Sequence, residues 1–573
     1  MYTLGINAAL GEPSACLVRD GRIIAAAREE WFTGSRTCRG IAPFSPCEIP
    51  FNAIAFCLSE ERVLLSDIDH IAYSFNPYLL LNEKTKAGLV TVQLEEGASA
   101  STWPRESEWE PIFLSSVASA QRQLCLGIPC RLRERFGSIS AAGPFVWHFV
   151  DHHLAHAASA FFASPFATAA VITMDSGGEK ASTTYSHGSA SCLTSLGEVS
   201  LPNSLGRLFG QMTEYLGFQS PIEEPKVIEL SAMGKPAFVQ EFRRLVSLRD
   251  NGQYLTQKVP LEDIFGPARS PGEPLEKKHY DIASSFQVML QETVLAITAW
   301  LKAETGEKNL CFTGSMALNP ALNGFIRQHS PFSDIWVQPA SDDGGTALGA
   351  ALWIDNLERT PAGPRNPMEQ ADLGPYYAER SVESLLKHAR LRFRRLDDIA
   401  GESARLLAEG RIIGWFQGRA EFGSGYPGWR SLVASPLQKA ARKRLNSIKG
   451  REGFRPCGTA ILADAVSEWF LDSRPSPFMM FSYPVRPEKA RSIPACCHDD
   501  GTARVHTVER RLNPLFYDLI KAFGALTGVP VLLSSSLNLA DRPTVCSPRD
   551  AIACFSTMPV DAMVIGHFIL EKE

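Results

Sequence analysis

Short apolar runs alternate with turn signals through the first 32 residues, "MYTLGINAALGEPSACLVRDGRIIAAAREEWF". Gly11-Glu12-Pro13 separates the first two runs, and Asp20-Gly21 separates the next two. Asp-Gly between apolar runs is a strong hairpin signal, because this pair readily adopts the positive φ angles of a tight turn. The pattern therefore predicts three consecutive strands joined by turns.

A second block with a leading strand begins at Phe145. "PFVWHFVDHH" is typical of a strand that leads into a helix, and "TAAVITMDSGGEKASTTYSHG" of a strand that ends at Met174 and is followed by a glycine turn. Two successive strand-led blocks are what a duplicated fold of the actin-like ATPase type would give. We expect an α/β fold.

Three further patterns follow. Residues 281–304 are predicted to be helical, and "NLCFTGSMALNPALNGFIRQ" to be a strand that enters a helix through Gly314-Ser315. "DIWVQPASDDGGTALGAALWI" repeats this arrangement, and residues 356–377, rich in proline and glycine, form the best linker. A mixed α/β pattern then runs to the end, so we expect two domains, residues 1–360 and 361–573.

Composition narrows the class of protein. The chain has 573 residues, of which 45% are hydrophobic and 21% charged, which is ordinary globular composition and too long for a single core. With a net charge of -5, the chain has no excess of positive charge for binding nucleic acid. No apolar run reaches the length of about 18 residues that a membrane span needs. The 13 cysteines lack zinc-type pairs, and with no signal peptide at the start we expect reduced thiols in a cytoplasmic protein.

The segment "DHHLAHAASAFF" carries candidate metal ligands. On a helix, His152 and His156 project from one face about 5–6 Å apart, which suits two ligands of one ion. For a bare pair, solvated histidines at a helix start capped by Asp151 are the favoured alternative. Two strand ends, however, offer carboxylates, one at Asp175 and one at Asp342-Asp343. Two imidazoles and two carboxylates suit iron, manganese or zinc better than calcium.

These motifs in this order carry a resemblance. HHxxHA, DSGGE, GSMALN and QPASDDGGTALGAA resemble the NodU/CmcH family of carbamoyltransferases, whose first domain is related to the tRNA threonylcarbamoyl-transferring proteins. "IKGREGFRP", "DGTARVHTV", "VLLSSSLNLADRPTV" and "DAMVIGHFILEK" resemble the YrdC-like domain of that family. The resemblance covers nearly the whole chain. It implies a duplicated actin-like (ASKHA) N-terminal domain followed by a YrdC-like α/β domain.

The resemblance also implies a first site in the N-terminal domain. Four residues match the ligands of the family's iron, and Asp343 is preferred to Asp342 because it directly precedes the glycine pair; the ligand set is His152, His156, Asp175 and Asp343. Further positions match residues that contact phosphate or adenosine, although plain turn geometry is the alternative for the glycines; they are Gly177, Gly178, Glu179, Gly314 and Asn319.

A second site is implied in the C-terminal domain. Carbamoyl phosphate and ATP bring several negative charges that require fixed cationic donors. A lone lysine or arginine is usually a solvated surface charge, but here several match the family in order. The matching residues are Lys449, Arg451, Arg455, Arg504, Ser536 and Asn538, with Arg419 and Arg430 also retained. We expect catalytic roles for Lys449, Arg451 and Ser536.

Several positions depart from the family pattern. Gly11 and Glu12 stand where the family has histidine and aspartate, so Glu12 becomes a candidate replacement base, with an ordinary turn carboxylate as the more frequent alternative. Arg36 is what remains of a basic pair, Gly425 replaces an arginine, and Glu229 replaces a glycine. The residues that face the acceptor are changed, whereas the activating residues are kept.

The resemblance therefore implies an ATP-dependent carbamoyltransferase that uses Fe(2+), ATP and carbamoyl phosphate. It would form carbamoyl-adenylate and transfer the carbamoyl group to a small natural product. Two alternatives stay open: another nucleotide-dependent acyl or amide transfer, or a catalytically weakened, metal-binding regulatory protein. We expect no nucleic-acid or membrane partner. The oligomeric state is left open, a homodimer being one option.

Overall fold

The computed structural model describes residues 1–35, 49–76, 79, 131–132, 135–136, 145–359, 365–423, 428–472, 474–539 and 542–572. Arg36 and Gly425 lie outside the described residues. The chain divides into two compact units: Met1–Leu201 with Cys311–Ser315 and Ala340–Met368, and Pro202–Leu310 with Met316–Pro339 and Glu369–Glu573. This division differs from the expected boundary between residues 360 and 361, which stays a prediction.

The strands are numbered β1 to β21 in chain order. They are Tyr2–Asn7, Ser14–Arg19, Arg22–Arg28, His70–Tyr73, Val146–Phe149, Thr168–Met174, Ala181–Ser189, Cys192–Ser200, Val246–Leu248, Tyr254–Thr256, Asn309–Thr313, Asp334–Val337, Arg394–Arg395, Ile413–Phe416, Arg430–Ala434, Gly458–Leu462, Phe481–Pro484, Thr502–Val508, Val531–Ser536, Ala562–Ile565 and Phe568–Glu571.

The α-helices are referred to by their bounds. Those of the first unit are Glu30–Thr33, Phe51–Glu61, His152–Ala163 and Thr346–Glu358. Those of the second unit are Leu205–Tyr215, Glu224–Ser231, Val239–Leu245, Leu261–Phe265, Lys277–Thr305, Pro320–His329, Glu379–His388, Ile399–Ala408, Lys439–Ile448, Val466–Trp469, Pro487–Ala490, Pro514–Thr527 and Pro548–Thr557.

The first sheet of unit one has the strand order β3-β2-β1-β4-β5. Strands β1 to β3 are antiparallel neighbours, whereas β4 is parallel to β1 and β5 is parallel to β4. The turn between β2 and β3 has positive φ at both central residues, 49° at Asp20 and 77° at Gly21. This is the geometry that Asp-Gly favours, and the predicted three-stranded start of the chain is confirmed.

A second sheet repeats the order of the first. Strands β6, β7 and β8 are successive antiparallel neighbours, and β11 lies beside β6. The order β8-β7-β6-β11 matches β3-β2-β1-β4, with three strands antiparallel in sequence and a later strand beside the first. The predicted duplication and the α/β fold class are confirmed by this repeated topology.

Helices His152–Ala163 and Thr346–Glu358 lie against each other in unit one. Their contact is close because Gly349 has no side chain: a Cβ there would stand 1.7 Å from the Ala155 carbonyl oxygen. Ala155, Ala350 and Ile354 are buried in the shared core. This contact fixes the helix that bears the histidines against the helix that follows Asp343.

Helix Thr346–Glu358 also corrects the predicted linker. Residues 356–358 were expected to lie in the linker 356–377, but they form the last turn of this helix. The Arg359 side chain pairs with Asp355, at a distance of 3.2 Å from Nε to the carboxylate oxygen, across that turn. Proline and glycine first interrupt the pattern after residue 360, which is why the helix continues past the predicted limit.

Unit two is built around helix Lys277–Thr305, which confirms the helix predicted over 281–304. Within the described part of the chain, this helix alone is long and apolar enough to cross a membrane, with a mean hydropathy of 1.2. It packs on helices Glu224–Ser231 and Pro320–His329, and 67% of its most apolar window is buried. Its apolar surface is therefore accounted for by the core of the unit.

The rest of unit two contains a mixed sheet with the order β13-β21-β20-β14-β15-β19-β16-β18-β17. Strand β14 runs parallel to β20 and β16 runs parallel to β18, whereas the other pairs are antiparallel. Helices Ile399–Ala408 and Pro514–Thr527 pack together, and their apolar residues share one core with Trp415 of the sheet. This mixed α/β architecture is the one predicted for the second half.

Candidate functional site

Helix His152–Ala163 carries the candidate histidine ligands. Asp151 caps the helix, since its carboxylate accepts a hydrogen bond from the backbone N–H of His153 at 3.2 Å. The rings of His152 and His156 lie 4.6 Å apart, and the two residues are only 1% and 0% exposed. The alternative expectation was a pair of solvated histidines at a helix start capped by Asp151. The cap is present, but the solvated histidines are wrong, because the helix is buried in the core of unit one.

Two carboxylates meet these rings. Asp175 directly follows β6, and Asp343 opens a single turn, Asp343–Gly345, before helix Thr346–Glu358. His152 Nε2 lies 3.1 Å from an Asp175 oxygen and 3.6 Å from an Asp343 oxygen. For His156 Nε2 the corresponding distances are 3.8 and 3.9 Å. One donor atom from each of the four residues thus lies within 4.8 Å of the others.

The charges of this cluster are strongly coupled. Burial lowers the pKa of His152, but the hydrogen bond that its ring donates to Asp175 and the charge of Asp343 outweigh burial and raise the pKa to about 9. Burial raises the pKa of Asp175, and His152 and His156 more than reverse this, so that the carboxyl stays ionised. A metal ion would replace the proton of His152, which makes binding proton-linked.

The four residues fit a divalent metal of the iron type. Imidazole nitrogens combined with carboxylate oxygens are typical of such sites, whereas calcium and magnesium prefer oxygen alone. Both ring nitrogens of His156 are buried and make no hydrogen bond within the described part of the chain. A buried polar atom without a partner is costly, and coordination by His156 would satisfy one of these nitrogens.

Two supporting contacts were missed by the sequence reasoning. Ser315 donates from its backbone N–H, at 3.2 Å, and from its hydroxyl to Asp175 Oδ1. The Gly11 backbone N–H donates to Asp343 Oδ2 at 2.8 Å. A Cβ at Gly11 would stand 2.7 Å from the same oxygen. The signals were the Gly-Ser of "GSMALN" and the departure from the family at Gly11, but neither indicates a contact with a metal ligand by itself.

The predicted phosphate turn lies beside the histidines. Gly177 and Gly178 follow Asp175, and a Cβ at Gly178 would meet a ring carbon of His153 at 2.9 Å. Glu179 accepts hydrogen bonds from the backbone N–H groups of Asn76, at 2.7 Å, and His152, at 3.1 Å. Burial, reinforced by Asp151, raises the pKa of Glu179 to about 7. Glu179 therefore anchors the start of the histidine helix, and its predicted phosphate contact stays a prediction.

Gly314 and Asn319 have local structural roles as well. Gly314 has φ of 90°, and a Cβ there would stand 2.1 Å from the Met174 carbonyl oxygen. Only glycine combines this backbone with so close an approach. Asn319 caps helix Pro320–His329 by accepting from the Leu322 N–H at 3.0 Å, and its amide donates to Gln287. Their predicted proximity to adenosine stays a prediction.

Glu12 belongs to a buried charge network. Its carboxylate accepts a hydrogen bond from Arg28 Nη1 at 3.2 Å, and Glu12 itself has φ of 52° in the turn after β1. Arg28 Nη2 also donates to both Asp342 oxygens, at 2.8 and 2.6 Å. Burial raises the pKa of Asp342 to about 7 against the effect of Arg28. Asp342 is thereby engaged by Arg28, which leaves Asp343 as the aspartate of the four-residue cluster, as the sequence reasoning chose.

Lys449 is the centre of the second cluster, in unit two. Its Nζ donates to the Ser536 carbonyl oxygen at 2.6 Å, to the Ser536 hydroxyl at 2.5 Å and to Asn538 Oδ1 at 2.5 Å. The Ser536 hydroxyl also donates to Asn538 Oδ1 at 2.6 Å. Lys449 follows helix Lys439–Ile448 and is only 4% exposed, and Ser536 ends β19. The structure brings these three predicted residues together.

The predicted arginines differ in their surroundings. Arg451 donates to Asn446 Oδ1 at 3.0 Å and to the Ser535 hydroxyl at 3.1 Å, beside the Lys449 cluster. Arg455 Nε lies 2.5 Å from a carboxylate oxygen of Glu229. Arg504 donates from Nε to the Met479 carbonyl oxygen at 2.9 Å. Glu229, noted in the sequence only as a departure, is thus paired with one of the predicted anion-binding arginines.

Arg430 donates to backbone carbonyl oxygens, and Arg419 takes part in a backbone bridge. Arg430 is 1% exposed and donates to the carbonyl oxygens of Gln417 and, at 3.0 Å, of Gly418. Burial lowers the pKa of Arg430 to about 10 in spite of Glu421. Arg419 pairs with Tyr376 through an isolated backbone bridge. Arg430 stabilises the loop before β15, and the nucleotide contacts expected of both arginines stay predictions.

Two sequence models of one family match the chain. The carbamoyltransferase N-terminus matches residues 2–352, and the carbamoyltransferase C-terminus matches residues 404–572. The chain belongs to the carbamoyltransferase family. It is therefore an enzyme of carbamoyl transfer, and the predicted resemblance is confirmed.

This carbamoyltransferase spans most of the length of several relatives. The nodulation protein NolNO of Sinorhizobium fredii is 35% identical over 99% of this chain and 80% of that protein. The nodulation protein NolO of Bradyrhizobium diazoefficiens is 37% identical over 74% of this chain and 79% of its own. An uncharacterized protein of Synechocystis sp. is 33% identical over 100% of this chain and 97% of its own. Among solved structures, HypF of T. kodakarensis aligns over 62% of this chain and 48% of its own at 14% identity, with a TM-score of 0.31, which is too low to bear on the fold.

Proposed function

We propose that this carbamoyltransferase forms carbamoyl-adenylate from carbamoyl phosphate and ATP, and then transfers the carbamoyl group to a small natural-product acceptor. The observation that carries the proposal is the buried Lys449 ammonium held by Ser536 and Asn538 beside Arg451. The oxygens of Ser536 and Asn538 orient the ammonium. A buried positive charge of this kind is suited to an anionic substrate.

The first stage takes place at the Lys449 cluster. Water cleaves carbamoyl phosphate to carbamate and phosphate, and carbamate then attacks the α-phosphorus of ATP, which forms carbamoyl-adenylate and releases pyrophosphate. Lys449 and Arg451 stabilise the negative charge on the departing phosphate groups. Ser536 keeps Lys449 in position, and Arg455 and Arg504 bind the phosphates, with Arg419 and Arg430 as further nucleotide contacts.

The second stage takes place in the other unit, beside the His152, His156, Asp175 and Asp343 cluster. The acceptor hydroxyl attacks the carbamoyl carbon, the bond from that carbon to the phosphate oxygen breaks, and AMP leaves. Glu12 receives the proton of the hydroxyl, and the backbone N–H groups of the Gly177-Gly178 turn bind the phosphate. Iron held by the four residues would supply Lewis-acid polarisation of the carbamoyl carbonyl.

The test measures phosphate and pyrophosphate release from carbamoyl phosphate and ATP. We expect Lys449→Ala to abolish pyrophosphate release, because the ammonium that stabilises the phosphates is lost. Lys443→Ala is the matched control, since this lysine lies on helix Lys439–Ile448, which directly precedes Lys449, and is exposed. Normal pyrophosphate release by Lys449→Ala would show that adenylate formation does not depend on this site.

A second variant in the same assay tests the base. We expect Glu12→Gln to release pyrophosphate normally in the first turnover but to transfer the carbamoyl group about 10²–10⁴-fold more slowly, the usual contribution of a positioned base. The exposed Glu60→Gln is the control. Transfer at the wild-type rate by Glu12→Gln would exclude Glu12 as the base. Carbamoyl transfer without any release of pyrophosphate would favour a different nucleotide-dependent reaction.

A further inference from the structure

A buried carboxylate stands against the predicted anion-binding arginines. Glu229 lies on helix Glu224–Ser231, and its Oε2 is 2.5 Å from Arg455 Nε, with both residues in unit two. The Glu229 side chain is 12% exposed. It comes from the stretch matched by the N-terminal family model, whereas Arg455 lies in the stretch matched by the C-terminal one. A carboxylate from one family domain therefore contacts a cationic group of the other.

The pair lies next to the Lys449 cluster. Arg451 is close enough to Glu229 to interact with its charge, and the same arginine donates to the Ser535 hydroxyl at 3.1 Å. Ser535 directly precedes Ser536, which accepts from Lys449. Glu229 is thus part of the same group of charges that would receive the phosphate of the donor.

The ion pair between Glu229 and Arg455 lacks good hydrogen-bond geometry. Neither Glu229 Oε2 nor Arg455 Nε makes a hydrogen bond of acceptable geometry among the described residues, although both atoms are buried. Burial also raises the pKa of Glu229 to about 7, against the effect of Arg455 and Arg451. A buried ion pair is stable only when its hydrogen bonds are satisfied. A phosphate, which offers several oxygens to an arginine, would pair better with Arg455 than Glu229 does.

We propose that Glu229 is an internal competitor that occupies Arg455 until a phosphate-bearing donor displaces it, and that it thereby sets the affinity of the site for that donor. The inference rests on the proposed function of the Lys449 site. The physical reason is that one cationic group cannot form its best contacts with two anions at once. Only an anion that binds Arg455 better than the buried carboxylate does would enter the site.

A second ion pair keeps the surrounding elements in place while Glu229 moves. Lys226, on the same helix as Glu229, lies 2.5 Å from Glu223 and 2.5 Å from Glu452. Glu452 belongs to the loop that carries Arg451 and Arg455. This contact ties the helix to the loop independently of Glu229. It also supplies a matched control, because Glu223 is an acidic partner of Lys226 at the start of the same helix, whereas the Glu452 carbonyl oxygen accepts from the Arg455 N–H at 3.1 Å.

The test is calorimetric titration of inorganic phosphate and of pyrophosphate into the full-length protein. We expect Glu229→Gln to bind both anions about tenfold more tightly than wild type, since the competing charge is removed and Arg455 is retained. Glu223→Gln should change the affinity much less. Glu229→Gly, which restores the residue that the family has at this position, should behave like Glu229→Gln, and thermal denaturation checks that each variant is folded.

Two other outcomes have distinct meanings. If wild type binds phosphate and Glu229→Gln binds it equally or more weakly, Glu229 positions Arg455 instead of competing for it, and the inference is overturned. If wild type, Glu229→Gln and Lys449→Ala all fail to bind either anion, the donor site itself is misassigned. In that case the proposed function fails first, and the inference fails with it.

Discussion

At the residue scale, Gly11 links a change in sequence to the cluster of four candidate metal ligands. Its backbone N–H donates to Asp343 Oδ2, and there is no room for a side chain between them. The resemblance expects histidine at this position, whereas the loop of this chain supports a candidate ligand through its backbone. The loop that the resemblance expects to face the acceptor is thereby coupled to a residue that would hold the metal.

Gly11→Ala should weaken metal binding without unfolding the protein. The new Cβ would stand 2.7 Å from Asp343 Oδ2, so that Asp343 must move away from the two histidines. We expect a loss of about tenfold in iron affinity, comparable to the loss of an outer contact of a ligand. Competition with a chelator measures the affinity. Gly197→Ala is the control, because a Cβ there meets only a Tyr185 ring carbon at 3.9 Å. Equal affinities in both variants would contradict the role of this contact.

Individual residues also show which parts of the candidate site could be identified from the sequence. The four candidate ligands were named from motif order, and Asp343 was chosen over its neighbour. Ser315 and Arg28 were missed because their roles depend on contacts between residues more than 100 positions apart. Glu229 was noticed as a departure, but only its proximity to Arg455 gave the departure a meaning.

At the scale of elements, the sequence pattern correctly predicted those strands, turns and helices that carry a local signal of their own. The Asp20-Gly21 hairpin and the helix over 281–304 were predicted because turn chemistry and apolar spacing are local. The linker was placed too early, since a helix end without glycine or proline leaves no local mark. The strand orders of the sheets depend on long-range pairing and could be expected only through the resemblance.

Strand β18 carries a histidine whose burial gives a pH dependence. His506 is stacked on Phe516 of helix Pro514–Thr527, and burial lowers its pKa to about 3. In the unfolded chain the pKa is near 6.5, so below that pH the unfolded state binds the additional proton and the folded state does not. The stability that His506 contributes as a neutral group is therefore lost as the pH falls from about 6.5 towards 3.

Replacing His506 should make the free energy of unfolding depend less steeply on pH. We expect the free energy of unfolding to fall with decreasing pH less steeply in His506→Gln than in wild type, by at most about 1.4 kcal/mol per pH unit. Urea denaturation between pH 7.5 and 5 measures the slope, which is informative even if the variant is less stable overall. The exposed His388→Gln should keep the wild-type slope. Identical slopes in all three proteins would show that His506 is protonated in the folded state.

At the scale of the whole molecule, each unit carries one of the two clusters. The four candidate metal ligands belong to unit one, whereas Lys449, Ser536 and Asn538 belong to unit two. Each cluster is built from side chains of its own unit. If the first cluster serves transfer and the second serves activation, damage to one should leave the chemistry of the other measurable.

His156→Ala therefore should separate the two stages. We expect it to lose most of the bound iron and to stop carbamoyl transfer, because one of two imidazole ligands is removed from the His/Asp cluster. Carbamoyl phosphate and ATP should still give pyrophosphate in the first turnover, since the Lys449 site is unchanged. Lys449→Ala should show the reverse, with normal iron content and no pyrophosphate. His153→Ala is the matched control, as this buried histidine lies on the same helix but outside the four-residue cluster. A folded His156→Ala protein that loses both iron and pyrophosphate release would show that the four-residue cluster takes part in activation. The assignment of one stage to each unit would then have to be abandoned.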